Sequence, residues 1–487
     1  MKIFFLWCLL LLSVSIQAEP FQGATISYGK EQCVALNRFA ETSGAKYRST
    51  DSKKEEELCH IDFANRGIGL CPKTWSTSPG TVIYDIEKSS YNGNPGDFEA
   101  KYCPKQRALK GTVSGVDKLA SFKQSVNGQF DQRTSATFSQ ASPLYYQFSR
   151  YFNMAVDIPV AVIRTMDAKT HLHRVASKGP GMAQGRMNLA GWNVIKSAEE
   201  NPLGYRPVNE FYYGDSSDGL FYGTLLKGHG ARYGAEFNGN IAGKGYSQQY
   251  LFFQQTPAFS AMASPKIFSD AMADGITLSK KDPVVAKALK SEVSPEQMML
   301  WMQELSEIAI IDDIFSQQDR PGNIDYLWVW YYVNDKGELK TKRDDSEVSR
   351  VKMDSIQVPE EVKKNSRYVL LQKTQLNDND AGGRRYTNFT KKFGLLEKIR
   401  HLNAVTYRQL IRLAKDFEAK GDFYHYLSKT FYLSTTNTDL IAQNTILAAQ
   451  ILKSTCKSGA IKFDLNSEAY FLTRKAEEVQ VDCENPS

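Results

Sequence analysis

The chain has 487 residues, of which 23% are charged and 42% apolar, and its formal net charge is +6. That length allows two or three domains and a substantial core, and so excludes a minimal single module. Basic and acidic residues are interleaved, without the basic stripe or lysine-flanked aromatics of a nucleic-acid surface, so no nucleic-acid partner is expected.

The chain opens with Lys2, the apolar run Ile3 to Leu12, and Ser13 to Ala18. This order reads as a signal peptide over residues 1–18, cleaved after Ala18. The apolar run is too short to span a bilayer. Cys8 has no small residue before it, which argues against a lipoprotein site. No later stretch is long and apolar enough to cross a membrane, so a secreted or periplasmic protein is expected. Without Cys8, six cysteines remain: Cys33, Cys59, Cys71, Cys103, Cys456 and Cys483. In an exported chain an even number suggests disulfides. Their clustering favours pairing among the first four and between the last two. Zinc is the competing reading, but no Cys-x-x-Cys spacing or nearby His pair supports it.

Residues 19–105 carry four of these cysteines among many Ser, Gly and Pro, and read as a small disulfide-stapled module. Residues 106–265 read as strand-rich. Gly111 to Gly115 precede the strand pattern Leu119-Ala120-Ser121-Phe122-Lys123. A helix pattern follows from Pro143, with Leu144, Phe148, Tyr151 and Phe152 on one face. Ile158 to Arg164 and Gly219 to Leu226 read as further strands, and the Gly- and Asn-rich residues 170–218 between them as an insertion. Residues 266–455 turn helical. Ser294-Pro295-Glu296-Gln297 is a helix start, with Ser at the cap and Pro at the first position. A second helix starts near Thr406 and stops at Gly421, and a third covers residues 437–454. Residues 456–487 read as a tail tethered by the last two cysteines. Strands first and helices second give an α+β chain in two lobes.

Three places in this pattern invite chemistry. Lys123 lies inside an apolar strand, where a lysine is costly without a partner such as a nucleotide phosphate. Gly111 and Gly115 could lie over the same phosphates. Alone, this is most simply an exposed lysine near a glycine turn. Asp319 follows a long helix pattern in Gln318-Asp319-Arg320-Pro321-Gly322-Asn323. It could accept a hydrogen bond from an attacking hydroxyl, with Asn323 as a metal ligand or loop brace and Arg320 as an anchor. Alone, this is a common Asp-Arg turn. Asp378 follows a strand pattern, beside Asn379 and Asp380, and could hold a divalent cation through oxygen ligands. Alone, it is an Asx-rich turn ending at Gly382-Gly383. Together, a lysine, a hydroxyl-orienting Asp and a metal-holding Asp are what phosphoryl transfer needs. His171 and His173 alternate along a segment read as extended and would share a face, but lack a third metal ligand. No Gly-x-Ser-x-Gly elbow or His-Glu-x-x-His is present. The 25 Tyr and 26 Phe could stack on sugars, but core packing is the simpler role.

In this order the segments resemble the secretory-pathway kinases related to the Golgi casein kinase and the spore-coat CotH kinases, and more distantly HipA-type and phosphoinositide kinases. Ala120-Ser121-Phe122-Lys123 looks like their phosphate-binding lysine strand. Pro143 to Arg150 with Ile158-Pro159-Val160 looks like their helix and "valine-proline" strand. Gln318-Asp319-Arg320 looks like their catalytic loop, and Leu376-Asn377-Asp378-Asn379 like their metal motif. The resemblance implies a bilobal protein-kinase-like fold over roughly residues 106–400. It implies ATP with Mg2+ or Mn2+ as cofactor, and transfer of the γ-phosphate to a hydroxyl on a protein or glycan. Asp319 would be the catalytic base, Asp378 and Asn323 the metal ligands, and Lys123, Gly111 and Gly115 the nucleotide contacts. The glutamate that pairs with the lysine in these families is missing: its place falls near Ser142, with Gln140 close by. That departure implies the alternative, an inactive pseudokinase that binds nucleotide or a partner in the cell envelope.

Overall fold

A computed structural model describes residues 21–485 apart from 76, 130–135, 202–218, 229, 282–292 and 345–356. The expected signal peptide lies outside the described residues.

The first half is built on one antiparallel sheet. Its strands are β1 (Gly23–Tyr28), β2 (Glu31–Leu36), β3 (Ile68–Pro72), β4 (Thr81–Asp85), β5 (Asp117–Gln124), β6 (Ala161–Asp167) and β7 (Leu220–Leu226), in the order β1-β2-β6-β7-β5-β4-β3. The strands of residues 23–85, which read as a separate module, thus hydrogen-bond to both edges of the strands that follow. On β5 the period of two separates the faces. Ala120, Phe122 and Gln124 are buried, while Ser121 and Lys123 are half-buried. Helix α1 (Asp51–Cys59) packs on β2 and β6, as does α2 (Ala141–Tyr151) on β6.

Of the expected insertion at 170–218, residues 170–200 are largely helical and end in α3 (Arg186–Glu200). Their Gly and Asn residues hide an apolar face of Trp192, Ile195 and Ala198, all buried. The segment around His171 and His173 is likewise helical, so the two rings share no strand face. His171 is buried, between Thr81 Oγ1 at 2.8 Å and Glu199 Oε1 at 2.8 Å. His173 is exposed.

In the second half, α4 (Pro295–Ile314) is the central helix. Ser294 caps it by accepting from Gln297 N at 3.1 Å, with Pro295 in the first turn. A smaller antiparallel sheet covers it: β8 (Ile324–Val333) lies between β9 (Leu339–Arg343) and β10 (Arg367–Leu376). Helices α5 (Ala404–Glu418) and α6 (Thr435–Lys457) complete the packing. The architecture is α+β. A parallel bridge between Asp157, ahead of β6, and Gln375 of β10 links the two sheets.

Three disulfides close as the spacing favours: Cys33–Cys59, Cys71–Cys103 and Cys456–Cys483. They suit an oxidising compartment. Among the described residues no helix is long and apolar enough to cross a membrane.

Helix α4 buries two acids, one against β10 and one against the segment ahead of β6. Glu304 accepts from Thr374 N at 3.0 Å, and Glu307 accepts from Val156 N at 3.1 Å. Burial pushes Glu304 up to about 8 and Glu307 up to about 7. The folded protein therefore holds protons that the unfolded chain releases at the ordinary carboxylate pKa of about 4.3. Their stabilising contribution is complete below that value and is lost as pH rises through about 7 and 8. The urea midpoint is accordingly expected to fall from pH 5.5 to pH 8, and Glu304→Gln to flatten the fall. A midpoint that rises over this range, or an unchanged slope in the variant, would contradict this assignment.

Candidate functional site

The alternation of β5 aims Lys123 away from the core. Its Nζ lies 2.6 Å from Asp380 Oδ1 and 3.3 Å from Asp378 Oδ1. The carboxylates stand on the turn that ends β10. Its main chain takes a left-handed step at Asp378, where φ is +51°. Such strain in a non-glycine residue persists only where the surroundings enforce it. Two further cations approach the same carboxylate: Lys73 Nζ at 3.7 Å and Arg232 Nη2 at 3.7 Å. Lys73, then Lys123 and Arg232, outweigh burial and hold the Asp378 carboxyl well below the usual range. Burial alone would lower Lys123, but Asp380 and Asp378 reverse this and keep it charged. With 38% of its side chain exposed against 12% for Lys123, Asp378 is the more accessible partner.

Asp319 completes the group. Its loop is hydrogen-bonded to the Asp378 turn through Gln318 N to Ala381 O at 2.9 Å. Burial and the nearby negative charge of Asp378 push Asp319 up to about 6, against an opposing hydrogen bond from Asn323. A carboxylate of that basicity can take a proton near neutral pH.

Arg320 locks the two acidic turns together. It forks onto Asp312 of α4 at 2.8 and 2.9 Å and donates to Asn379 Oδ1 at 2.9 Å. Tyr145 of α2 donates to the same Asp312 at 2.7 Å. Arg320 is 1% exposed, so this is a desolvated, fully engaged guanidinium. It acts as the anchor that the sequence suggests.

Asn323 serves as a brace. Its Nδ2 donates to Asp319 O at 2.6 Å, while its Oδ1 accepts from Arg232 at 2.5 Å. Gly111 and Gly115 both have positive φ and form the turn before β5. A side chain at Gly115 would strike the main chain of Lys88, so this glycine serves a close approach to residues 88–89. Gly80, just before β4, stands over the Lys123 side chain.

Lys73, Arg232 and Lys118 are the site residues that the sequence does not disclose. Burial, then Lys73 and Lys110, press half-buried Lys118 down to about 8. The only local signal is one lysine in a Ser-, Thr- and Gly-rich turn between two strands. Lys123 takes its counter-charge from Asp380. Gln140 is turned elsewhere, donating to Phe431 O at 2.7 Å. A buried glutamate beside β5, Glu199, accepts from Gln124 at 2.9 Å.

For Mg2+ or Mn2+ the donors as arranged do not fit. Among the described residues no group of three or more His, Cys, Asp or Glu side chains could hold a metal. Asp378 is surrounded by Lys73, Lys123 and Arg232, and Asn323 Oδ1 is engaged by Arg232. The set gathers Lys73, Lys123 and Arg232 around Asp378, with Asp325 on Arg232 at 2.8 Å and the basic Asp319 carboxylate alongside. No protein-family model matches the chain, and no curated protein matches it.

Proposed function

We propose that the chain is an exported, bilobal kinase-like phosphotransferase that moves the γ-phosphate of ATP to a hydroxyl acceptor on a protein or glycan. One observation carries the reading: Lys123 and Asp378, 255 residues apart, meet at 3.3 Å. Asp319 stands close enough for Asp378 to raise its pKa. Lys73, Lys123 and Arg232 neutralise phosphate oxygens, and Lys123 exchanges its carboxylate partners for the nucleotide. Asp319 orients the acceptor hydroxyl and takes its proton. Arg320 keeps the two turns in register, so that acceptor and phosphate face each other. No step is assigned to a metal ion.

A second reading, nucleotide binding without transfer, is favoured by the saturation of Asp378 with three cations. Both readings require the nucleotide to bind. ATP, added with and without Mg2+, is expected to raise the melting temperature. The stabilisation should approach about 2.7 kcal/mol at a hundredfold excess over Kd. Lys123→Met is expected to lose this response. Radiolabel transfer to an acceptor then separates the readings: transfer that Asp319→Asn lowers supports the first, and nucleotide binding without transfer supports the second. No thermal response to ATP under either condition would sink both.

A further inference from the structure

A separate cavity of about 450 Å³ opens between α1, the start of β6 and the end of β7. It shares no lining residue with the Lys123 site. Its volume lies in the range of small-molecule pockets. Leu58, Leu119 and Val160 give it an apolar wall, and Lys54 and Lys227 stand exposed at its rim. Neither lysine is in an ion pair among the described residues. Arg343 also lines the cavity, and it has a partner of its own. The two acids of the lining have partners elsewhere: Asp157 pairs with Arg48 and Gln375, and Glu57 lies 3.9 Å from Lys53. The cavity therefore offers an apolar wall with two exposed lysines at its mouth.

We propose that this cavity binds a small amphipathic anion. Its apolar body lies on Leu58, Leu119 and Val160, and its carboxylate, phosphate or sulfonate meets Lys54 and Lys227. Gln375, in the cavity wall, also accepts from Gly230 N at 2.9 Å and contacts Asn377, the neighbour of Asp378. An occupant would thus touch the segment that positions Asp378.

Two fluorescent probes test this on the full mature chain: 8-anilinonaphthalene-1-sulfonate, and its neutral relative N-phenyl-1-naphthylamine. The anion is expected to bind saturably, about tenfold or more tightly than the neutral probe. The double variant K54E/K227E should weaken the anion by about tenfold and leave the neutral probe within about twofold. Leu119→Trp, which fills the cavity, should remove both. Should that variant misfold, the charge reversal at two exposed lysines carries the test. Dodecanoate and dodecyl phosphate, added as competitors, separate carboxylate from phosphate head groups. Displacement by either supports the proposal. Absence of saturable binding, equal affinity for the neutral probe, indifference to the charge reversal, or displacement by neither competitor would overturn it. None of these residues belongs to the Lys123 site, so this result stands apart from any failure of ATP binding.

Discussion

Arg320→Ala is expected to cost roughly 3–5 kcal/mol of folding stability. The expectation rests on what the change leaves behind. Asp312 is 2% exposed and loses its forked partner, so among the described residues its buried carboxylate is left with the Tyr145 hydroxyl. Asn379 loses its donor as well, and the Asp319 and Asp378 turns lose the tie between them. Arg320→Lys keeps the charge but not the fork, and is expected to recover only part of the loss. Urea denaturation measures both effects. A double-mutant cycle with Asp312→Asn should show strong coupling, because each group is buried against the other. A loss under about 1 kcal/mol for Arg320→Ala would mean that the turns are held by something else.

Asp319→Asn is expected to lower phosphate transfer by roughly 10²- to 10⁴-fold, the usual worth of a positioned base. The amide keeps the size of the side chain and removes its ability to take a proton. ATP binding should change little, because the cations at Asp378 remain. The acid side of the wild-type pH profile gives a second reading. Asp319, raised to about 6, must be ionised to act, so activity should fall as pH drops through that value. In Asp319→Asn this limb should vanish from the residual activity. A variant with full transfer, or one that retains the limb, would remove Asp319 from the base role. If transfer is absent in the wild type while ATP still stabilises it, the binding-only reading stands.

Much of the local structure is legible in the residues. The start of α4 follows from Ser294 and Pro295, because a cap hydroxyl and a fixed φ act within one turn. The face of β5 that bears Lys123 follows from alternation. The disulfide grouping follows from spacing. Other features escape because their causes are not local. The helices of residues 168–200 depend on burying Trp192 and Ile195, which outweighs the poor helix propensity of the Gly and Asn around them. The role of Asn323 could not be read from spacing, since its Oδ1 is claimed by Arg232, 91 residues away. The cysteine-bearing strands read as independent because nothing in their own sequence reveals which strands they will border.

The sequence by itself determined where Lys123, Asp319 and Asp378 sit on their elements, since caps, turns and side-chain alternation are short-range. Only the tertiary structure decided which charges meet. It placed Lys73 and Arg232 beside Asp378 and Asp380 beside Lys123. It also set Arg320 as the link between the two turns. Coulomb attraction and desolvation depend on distance in space, and strand order sets that distance in ways that separation along the chain does not reveal.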